Sequence, residues 1–305
     1  MTPRADAFLG SSGFGGRLAL IFVDPNSVFR GSVLVAAPHM DDGVLGCGGT
    51  IARLLDKERV FFVYATDGSR SPTPTLPWQG SVSPSLTAIR ESEALAALEV
   101  LGVPENNIHF LDLPDGQLGA HTDELSRSLD GLVRRIRPMH VLVPFRYDRH
   151  PDHLALNRAM TRLAVQEHRD VLLTEYFVYY RWQLIRGRDV RRHVRSDLLM
   201  AVDVEACSLK KKRALMCFTS QTACFFDWQD RPILPQQRVD ETSRSPEVFL
   251  SYDPAYPGAS VFAGSRLWIR LVHRLEPGLK QRKDQLLALW KAVARTNGRQ
   301  MVRRG

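Results

Sequence analysis

Two short stretches put reactive side chains at spacings that suit metal chemistry. PHMDDG, residues 38–43, sets His39 beside Asp41 and Asp42, and RHPDH, residues 149–153, holds His150, Asp152 and His153. Two imidazoles and one carboxylate are a recurring donor set for catalytic zinc, which keeps a further position open for water. A single aspartate ligand leaves such a site with a net charge of about +1, so the metal still lowers the pKa of bound water toward about 7. A second carboxylate beside the metal, but not on it, can take that water's proton. Adjacent residues do not point the same way, so one of Asp41 and Asp42 can bind metal while the other faces a substrate. A histidine next to the metal can donate to the oxyanion of a tetrahedral intermediate. Taken alone, each motif has a plainer reading. An Asp-Asp pair after a strand is usually a turn or a helix N-cap, and a lone His-x-x-His is equally weak.

The weight comes from the elements that must position them. SVLVAAP (32–38) is a short, β-branched run ended by proline and reads as a buried strand. VFFVYATDG (60–68), IHFLDLP (108–114), MHVLVPF (139–145) and DVLLTEYFVYY (170–180) read as further strands. Helical patterns fall between them at GVLGCGGTIARLLDK (43–57), LTAIRESEALAALEVLG (86–102), TDELSRSLDGLVRRIRP (122–138) and HLALNRAMTRLAVQEH (153–168). This alternation predicts a Rossmann-like α/β fold, a mostly parallel sheet flanked by helices. Such sheets gather their sites at the carboxyl ends of the strands. His39, Asp41 and Asp42 follow the first strand, Asp67 the second, Asp115 the third and RYDRHPDH the fourth, so all belong on one rim. The glycines in GVLGCGG fit close helix–sheet packing better than nucleotide binding. They lack the G-x-G-x-x-G spacing, two acids stand where a pyrophosphate would lie, and no G-x-x-x-x-G-K-[ST] loop is present.

After residue 181 the pattern loosens into a less regular C-terminal extension. SRSPTPTLPWQGSVSPS (69–85) and DWQDRPILPQQRVDETSRSPE (227–247) read as loops, and GLKQRKDQLLALWKAVAR (278–295) as a basic amphipathic helix. The expected organisation is an N-terminal segment over 1–30, a catalytic core over 31–180, and a part over 181–305 that packs on the core and shapes the substrate site. The 305 residues are 44% hydrophobic and 24% charged, ample for a core. No apolar run approaches the roughly 18 residues of a membrane span, and no signal peptide is read. Cys47, Cys207, Cys217 and Cys224 form no CxxC pair, which fits a reducing, cytoplasmic setting. The net charge is +8, and RWQLIRGRDVRRHVR (181–195) alone holds six arginines. No nucleic-acid motif accompanies them, so nucleic acid is not expected. The run reads as a solvated basic face, with steering of an anionic substrate or a weak membrane-surface contact as the alternatives. Oligomeric state is left open.

At these residues the chain resembles the LmbE/PIG-L family of zinc-dependent N-acetylglucosaminyl deacetylases. PHMDDG corresponds to the family's A-H-P-D-D-E, and H-P-D-H stands intact at 150–153. TDGS (66–69), Arg90 with Glu93, LG (101–102), LPDGQL (113–118), KKRALMCFTSQ (211–221) and EVF (247–249) match in order. The resemblance implies one zinc per chain, or another divalent metal, held by His39, Asp42 and His153. It implies Asp41 as general base, His150 as oxyanion donor and a candidate proton donor to the leaving amine with Asp152 orienting it, and Arg90, Asp115 and Arg149 as contacts to the sugar or its aglycone. Arg90 has a competing explanation as an exposed helix residue paired with Glu91 or Glu93. The implied activity is removal of an N-acetyl group from an N-acetylglucosaminyl conjugate. Hydrolysis of a different amide and an inactive metal-bearing sugar-binding protein are the alternatives. Two positions depart from the family. Met40 replaces a proline, which loosens the turn, and Gly43 replaces a glutamate, which removes a carboxylate of a kind that tunes metal affinity about tenfold or more.

Overall fold

In the computed structural model, which describes residues 20–70, 85–181, 189–252 and 261–262, the apolar runs assemble into one eight-stranded sheet. The strands are β1 (Ile21–Phe22), β2 (Val33–Ala37), β3 (Val60–Thr66), β4 (Ile108–Leu113), β5 (His140–Pro144), β6 (Leu172–Tyr176), β7 (Leu199–Val202) and β8 (Glu247–Ser251), in the order β1-β7-β8-β6-β5-β2-β3-β4. All neighbours are parallel except β8, which runs antiparallel to both β6 and β7. The helices are α1 (Pro25–Val28), α2 (Asp42–Arg53), α3 (Leu86–Leu101), α4 (Thr122–Ile136), α5 (Pro151–Gln166), α6 (Ser208–Met216), α7 (Thr219–Thr222) and α8 (Gln236–Arg244).

Every residue of β2 is buried, as expected of a central parallel strand covered on both faces. Val33, Val35 and Ala37 join Phe62, Tyr64 and Leu142 under α2, α3 and α6. Leu34 and Ala36 join Val63, Val141 and Val143 under α4 and α5. A third cluster, with Phe145, Phe177, Leu199 and Leu250, fills the end of the sheet beyond β6. From β2 the chain moves outward to β3 and β4, then crosses back to place β5 on the other side of β2. The carboxyl ends of β2 and β5 therefore border a topological switch point, where open α/β sheets form their crevice.

Helix α2 sits unusually close to the sheet. A Cβ on Gly46 would lie 2.3 Å from Tyr176 Cδ2, so only glycine permits this approach. The Tyr176 hydroxyl is then buried and donates to the Ala36 carbonyl at 2.9 Å. Further along, the Glu247 carboxylate accepts from the Gly49 and Thr50 N–H groups at 2.7 and 2.6 Å. Lys211 Nζ donates to the Leu45 carbonyl at 2.9 Å and to Glu247 at 2.6 Å. The buried Lys211–Glu247 pair thus ties the middle of α2 to α6 and β8.

Three expectations are corrected. The stretch 227–247 is not all loop, because α8 forms within it. Its buried face is only Val239 and Ser243, too little apolar periodicity to read. Strand β6 stops at Tyr176, and Phe177, Val178 and Tyr180 turn away into buried positions. Arg191 is not on a solvated face. It is 5% exposed, bonded to Asp189 at 2.6–3.0 Å, with its guanidinium carbon 3.7 Å from the Tyr180 ring centre. The expected C-terminal helix, most of the loop at 69–85 and residues 182–188 lie outside the described residues. Among the described residues no helix is long and apolar enough to cross a membrane.

Candidate active site

The two motifs meet because each opens a helix at the end of neighbouring strands. After β2 the chain turns through Pro38–Met40, and α2 begins with Asp41 at its N-cap position and Asp42 in its first turn. Asp41 makes no capping hydrogen bond, so the N-cap reading does not account for it. After β5, His150 is the N-cap of α5. Its Nδ1 accepts the Asp152 N–H at 3.3 Å, with Pro151 in the first turn. Proline suits that position because its missing N–H would be unpaired there anyway. The H-P-D-H motif is therefore also a helix-start signal.

Three donor atoms converge. Asp42 Oδ2 lies 2.9 Å from His39 Nδ1 and 3.0 Å from His153 Nε2, and it also accepts the His39 N–H at 3.0 Å. His153 Nε2 is fully buried, and despite that short separation it has no hydrogen bond of acceptable geometry. An orphaned imidazole nitrogen beside a carboxylate oxygen fits a shared cation, since bonds of 2.0–2.2 Å in a tetrahedral zinc site put ligand atoms about 3.4 Å apart. The ring nitrogens of His39, His150 and His153 also gather within 4.8 Å of one another. The residues present fit a divalent metal with nitrogen and oxygen ligands.

The remaining candidates surround this centre. His39 Nε2 lies 3.3 Å from Asp115 Oδ1 and 3.4 Å from Asp152 Oδ2. The Asp152 oxygens accept the Gly116 and Leu118 N–H groups at 2.7 and 3.0 Å, and Oδ2 stands 3.9 Å from His150 Nδ1. His150 is thus oriented by the Asp152 backbone, while the Asp152 carboxylate serves the 116–118 turn and His39. Arg90 is 1% exposed, which removes the exposed-helix explanation. With its amide oxygen turned toward the guanidinium, Gln221 accepts from Arg90. Glu93 instead accepts from Thr219 Oγ1, Ser220 N and Ser220 Oγ at 2.6–2.7 Å. Arg149 is half-buried and donates to the Arg181 carbonyl.

The electrostatics separate the two aspartates. Burial and the neighbouring Asp42 push Asp41 up to about 6, while Arg90 and His39 pull the other way. Burial works against the charge on Asp42 as well, but His153 and His39 hold it far below the usual carboxylate range. Burial disfavours a charged His153, yet Asp42 and Asp148 raise it to about 9. Burial, with His39 and His153 nearby, lowers His150 to about 4, which leaves it neutral at pH 7.

Two contacts were not legible in the motifs. Asp148, 4% exposed, has Oδ2 3.1 Å from His153 Nδ1. Gln221 reaches Arg90 from far along the chain, and only its place in the KKRALMCFTSQ block hinted at it. The two departures also gain a physical account. Met40 is fully buried in the core, and the turn is fastened by Thr66, whose N–H and hydroxyl both donate to the Pro38 carbonyl at 3.0 and 2.8 Å. A Cβ on Gly43 would lie 2.8 Å from Phe62 Cε1 and 3.3 Å from Val35 Cγ1. Here the aromatic ring of Phe62 lies where a side chain at 43 would begin.

Fold and centre together define a Rossmann-like α/β domain with a metal-capable histidine–aspartate cluster at its switch point. Residues 34–164 match the family model described as PIG-L, GlcNAc-PI de-N-acetylase. All of the candidate residues fall inside that segment. The diacetylchitobiose deacetylase of Thermococcus kodakarensis is 38% identical over 126 residues, covering 40% of this chain. The chain spans only 44% of the length of that relative. Among solved structures, a conserved protein from Thermus thermophilus is similar at TM-score 0.52 and 25% identity, over 77% of this chain and 99% of that one. The N,N'-diacetylchitobiose deacetylase from Pyrococcus horikoshii shares the fold at TM-score 0.55 and 21% identity, over 79% and 90%.

Proposed function

We propose that the protein is a zinc-dependent hydrolase that removes the N-acetyl group from an N-acetylglucosaminyl conjugate, releasing acetate and a free amine. The observation that carries this reading is the convergence of His39 Nδ1 and His153 Nε2 on Asp42 Oδ2, with Asp41 beside it and uncommitted to the helix cap. The relative named a diacetylchitobiose deacetylase supports the choice of amide. His39, Asp42 and His153 would hold the ion. When bound, it supplies Lewis acidity, polarising the acetamido carbonyl and acidifying a water.

The chain's own residues do the rest. Asp41 takes a proton from the attacking water; burial that raises its affinity for that proton makes it a better base than an exposed aspartate. His150 accepts the Asp152 N–H at Nδ1, so its neutral ring carries hydrogen on Nε2 and can donate to the oxyanion as the carbonyl carbon becomes tetrahedral. The proton held on Asp41 goes to the departing nitrogen as the C–N bond breaks, which balances the hydrolysis. The charge of Arg90 steadies the negative form of Asp41. Asp115 and Arg149 are assigned to the sugar or its aglycone, as the family resemblance implies. Unpaired Cys47, Cys207, Cys217 and Cys224 suit work in a reducing cytoplasm.

The test is acetate release from N-acetylglucosaminyl conjugates by protein stripped of metal and then reloaded with zinc. Acetate that appears only after reloading is the expected result. No acetate from zinc-loaded protein across lipid-, nucleotide- and thiol-directed conjugates would sink the proposal.

A further inference from the structure

Asp148 stands in RYDRHPDH but outside the H-P-D-H signature, and it is the carboxylate packed behind His153. It sits on the turn between β5 and α5, where its N–H donates to the Phe145 carbonyl at 2.9 Å. Its Oδ1 accepts the Arg149 N–H at 2.6 Å. Its Oδ2 faces the Tyr179 N–H at 3.4 Å and His153 Nδ1 at 3.1 Å. His153 itself is completely buried, with its ring against those of His39, His150 and Tyr179 at centroid separations of 5.2–5.4 Å. One ring nitrogen therefore has a carboxylate, and the other is the orphaned Nε2 that faces Asp42.

We propose that Asp148 is the positioning residue that makes His153 a metal ligand. Accepting from Nδ1–H, it fixes the tautomer in which the Nε2 lone pair is free to bind an ion, and it sets the ring's direction. His39 is held by the same logic in mirror image, with Nδ1 toward Asp42 and Nε2 toward Asp115 and Asp152. The inference rests on the metal-dependent reading above. It separates from a merely structural role by its readout, zinc affinity. The Arg149 N–H sits on Oδ1, where an asparagine oxygen can still accept it, whereas the Tyr179 N–H at 3.4 Å shares Oδ2 with His153 Nδ1 and loses its acceptor with it. In Asp148→Asn, keeping the oxygen on Arg149 turns the amide NH2 toward Nδ1, and that donor drives the imidazole proton to Nε2, onto the ligand atom. Turning the amide over sets two N–H donors against the Arg149 N–H.

Zinc affinity of the full chain, read by competition with a chromophoric chelator, tests this without reference to turnover. Asp148→Asn is expected to bind zinc about 10–100-fold more weakly than wild type, and Asp148→Glu to recover part of the loss. The cobalt-loaded Asn variant should also show an altered visible spectrum. Equal zinc affinity and an unchanged cobalt spectrum in Asp148→Asn would overturn the assignment. If that variant does not fold, the zinc-loaded wild type decides by nitrogen-15 NMR. A proton on His153 Nδ1 with Nε2 on the metal supports the assignment, and metal on Nδ1 defeats it. A wild-type protein that binds no zinc would instead bring down the hydrolase reading on which this inference stands.

Discussion

At the residue scale, the centre works by giving adjacent, like residues unlike surroundings. Asp42 collects two imidazoles and a backbone N–H on a single oxygen and is held firmly ionised. Asp41, one position earlier, lies against buried surface and another negative charge, with only Arg90 and His39 in its favour. The division predicts different failures. Asp41→Asn should leave zinc affinity near wild type while acetate release falls about 10²–10⁴-fold, the usual worth of a general base. His153→Ala should lose zinc and activity together. Parallel measurement of bound zinc and acetate release checks both, and an Asp41→Asn enzyme with near wild-type turnover would remove Asp41 from the chemistry. The sequence exposed these residues because His-x-Asp-Asp and His-Pro-Asp-His are compact motifs. It hid Asp148, whose partner His153 needs a turn and the start of a helix to face it. Arg90 was ambiguous for a related reason. With Glu91 and Glu93 beside it, an arginine in a helix looks solvated, and only the distant Gln221 shows that it is buried.

At the element scale, α2 is the part that aims the aspartates, and its glycines let it lie close on the sheet. Position 43 matters most, because the ring of Phe62 lies against its backbone. Restoring a glutamate there with Gly43→Glu would push a Cβ to within 2.8 Å of Phe62 Cε1. Overpacking of this kind costs about 1–3 kcal/mol. Phe62→Ala alone should cost about 3–5 kcal/mol through the cavity it leaves. In the double variant the new side chain has room, so the two losses should sum to clearly more than the measured one. Urea unfolding midpoints of the four proteins give this directly, and strict additivity would mean that Phe62 is not what Gly43 accommodates. Strands β2–β6 and helices α2–α5 were readable from their apolar runs and periodicity, whereas β1, β7 and β8 were not read as strands. Helix α8 has only two buried positions, and its sequence looks like loop. The Lys211–Glu247 pair was unreadable for another reason: it joins residues from α6 and β8 to carbonyl and N–H groups of α2, and side-chain periodicity carries no record of which backbone groups need partners.

At the scale of the whole molecule, the sheet order concentrates acid at one place. The crossing from β4 back to β5 brings Asp41, Asp42, Asp115, Asp148 and Asp152 to the same rim, each at most 9% exposed. Against them stand the Arg90 guanidinium and three imidazoles. Buried carboxylates in such number are costly unless paired or bound to a cation. Folding and metal binding should therefore be linked, because the donors come from elements more than a hundred residues apart in the chain and meet only in the folded state. Zinc free at about a hundred times its Kd would add about 2.7 kcal/mol to stability. For a domain of this size that corresponds to a rise in Tm of about 5–11 °C. Thermal melts of chelator-treated protein with and without added zinc measure it. Magnesium should give a much smaller shift, because the set contains imidazole nitrogens and that ion prefers oxygen ligands and bound water. A Tm unmoved by zinc would show that the folded protein does not take up the ion, and equal shifts from both ions would show that the carboxylates alone, without His39 and His153, are doing the binding.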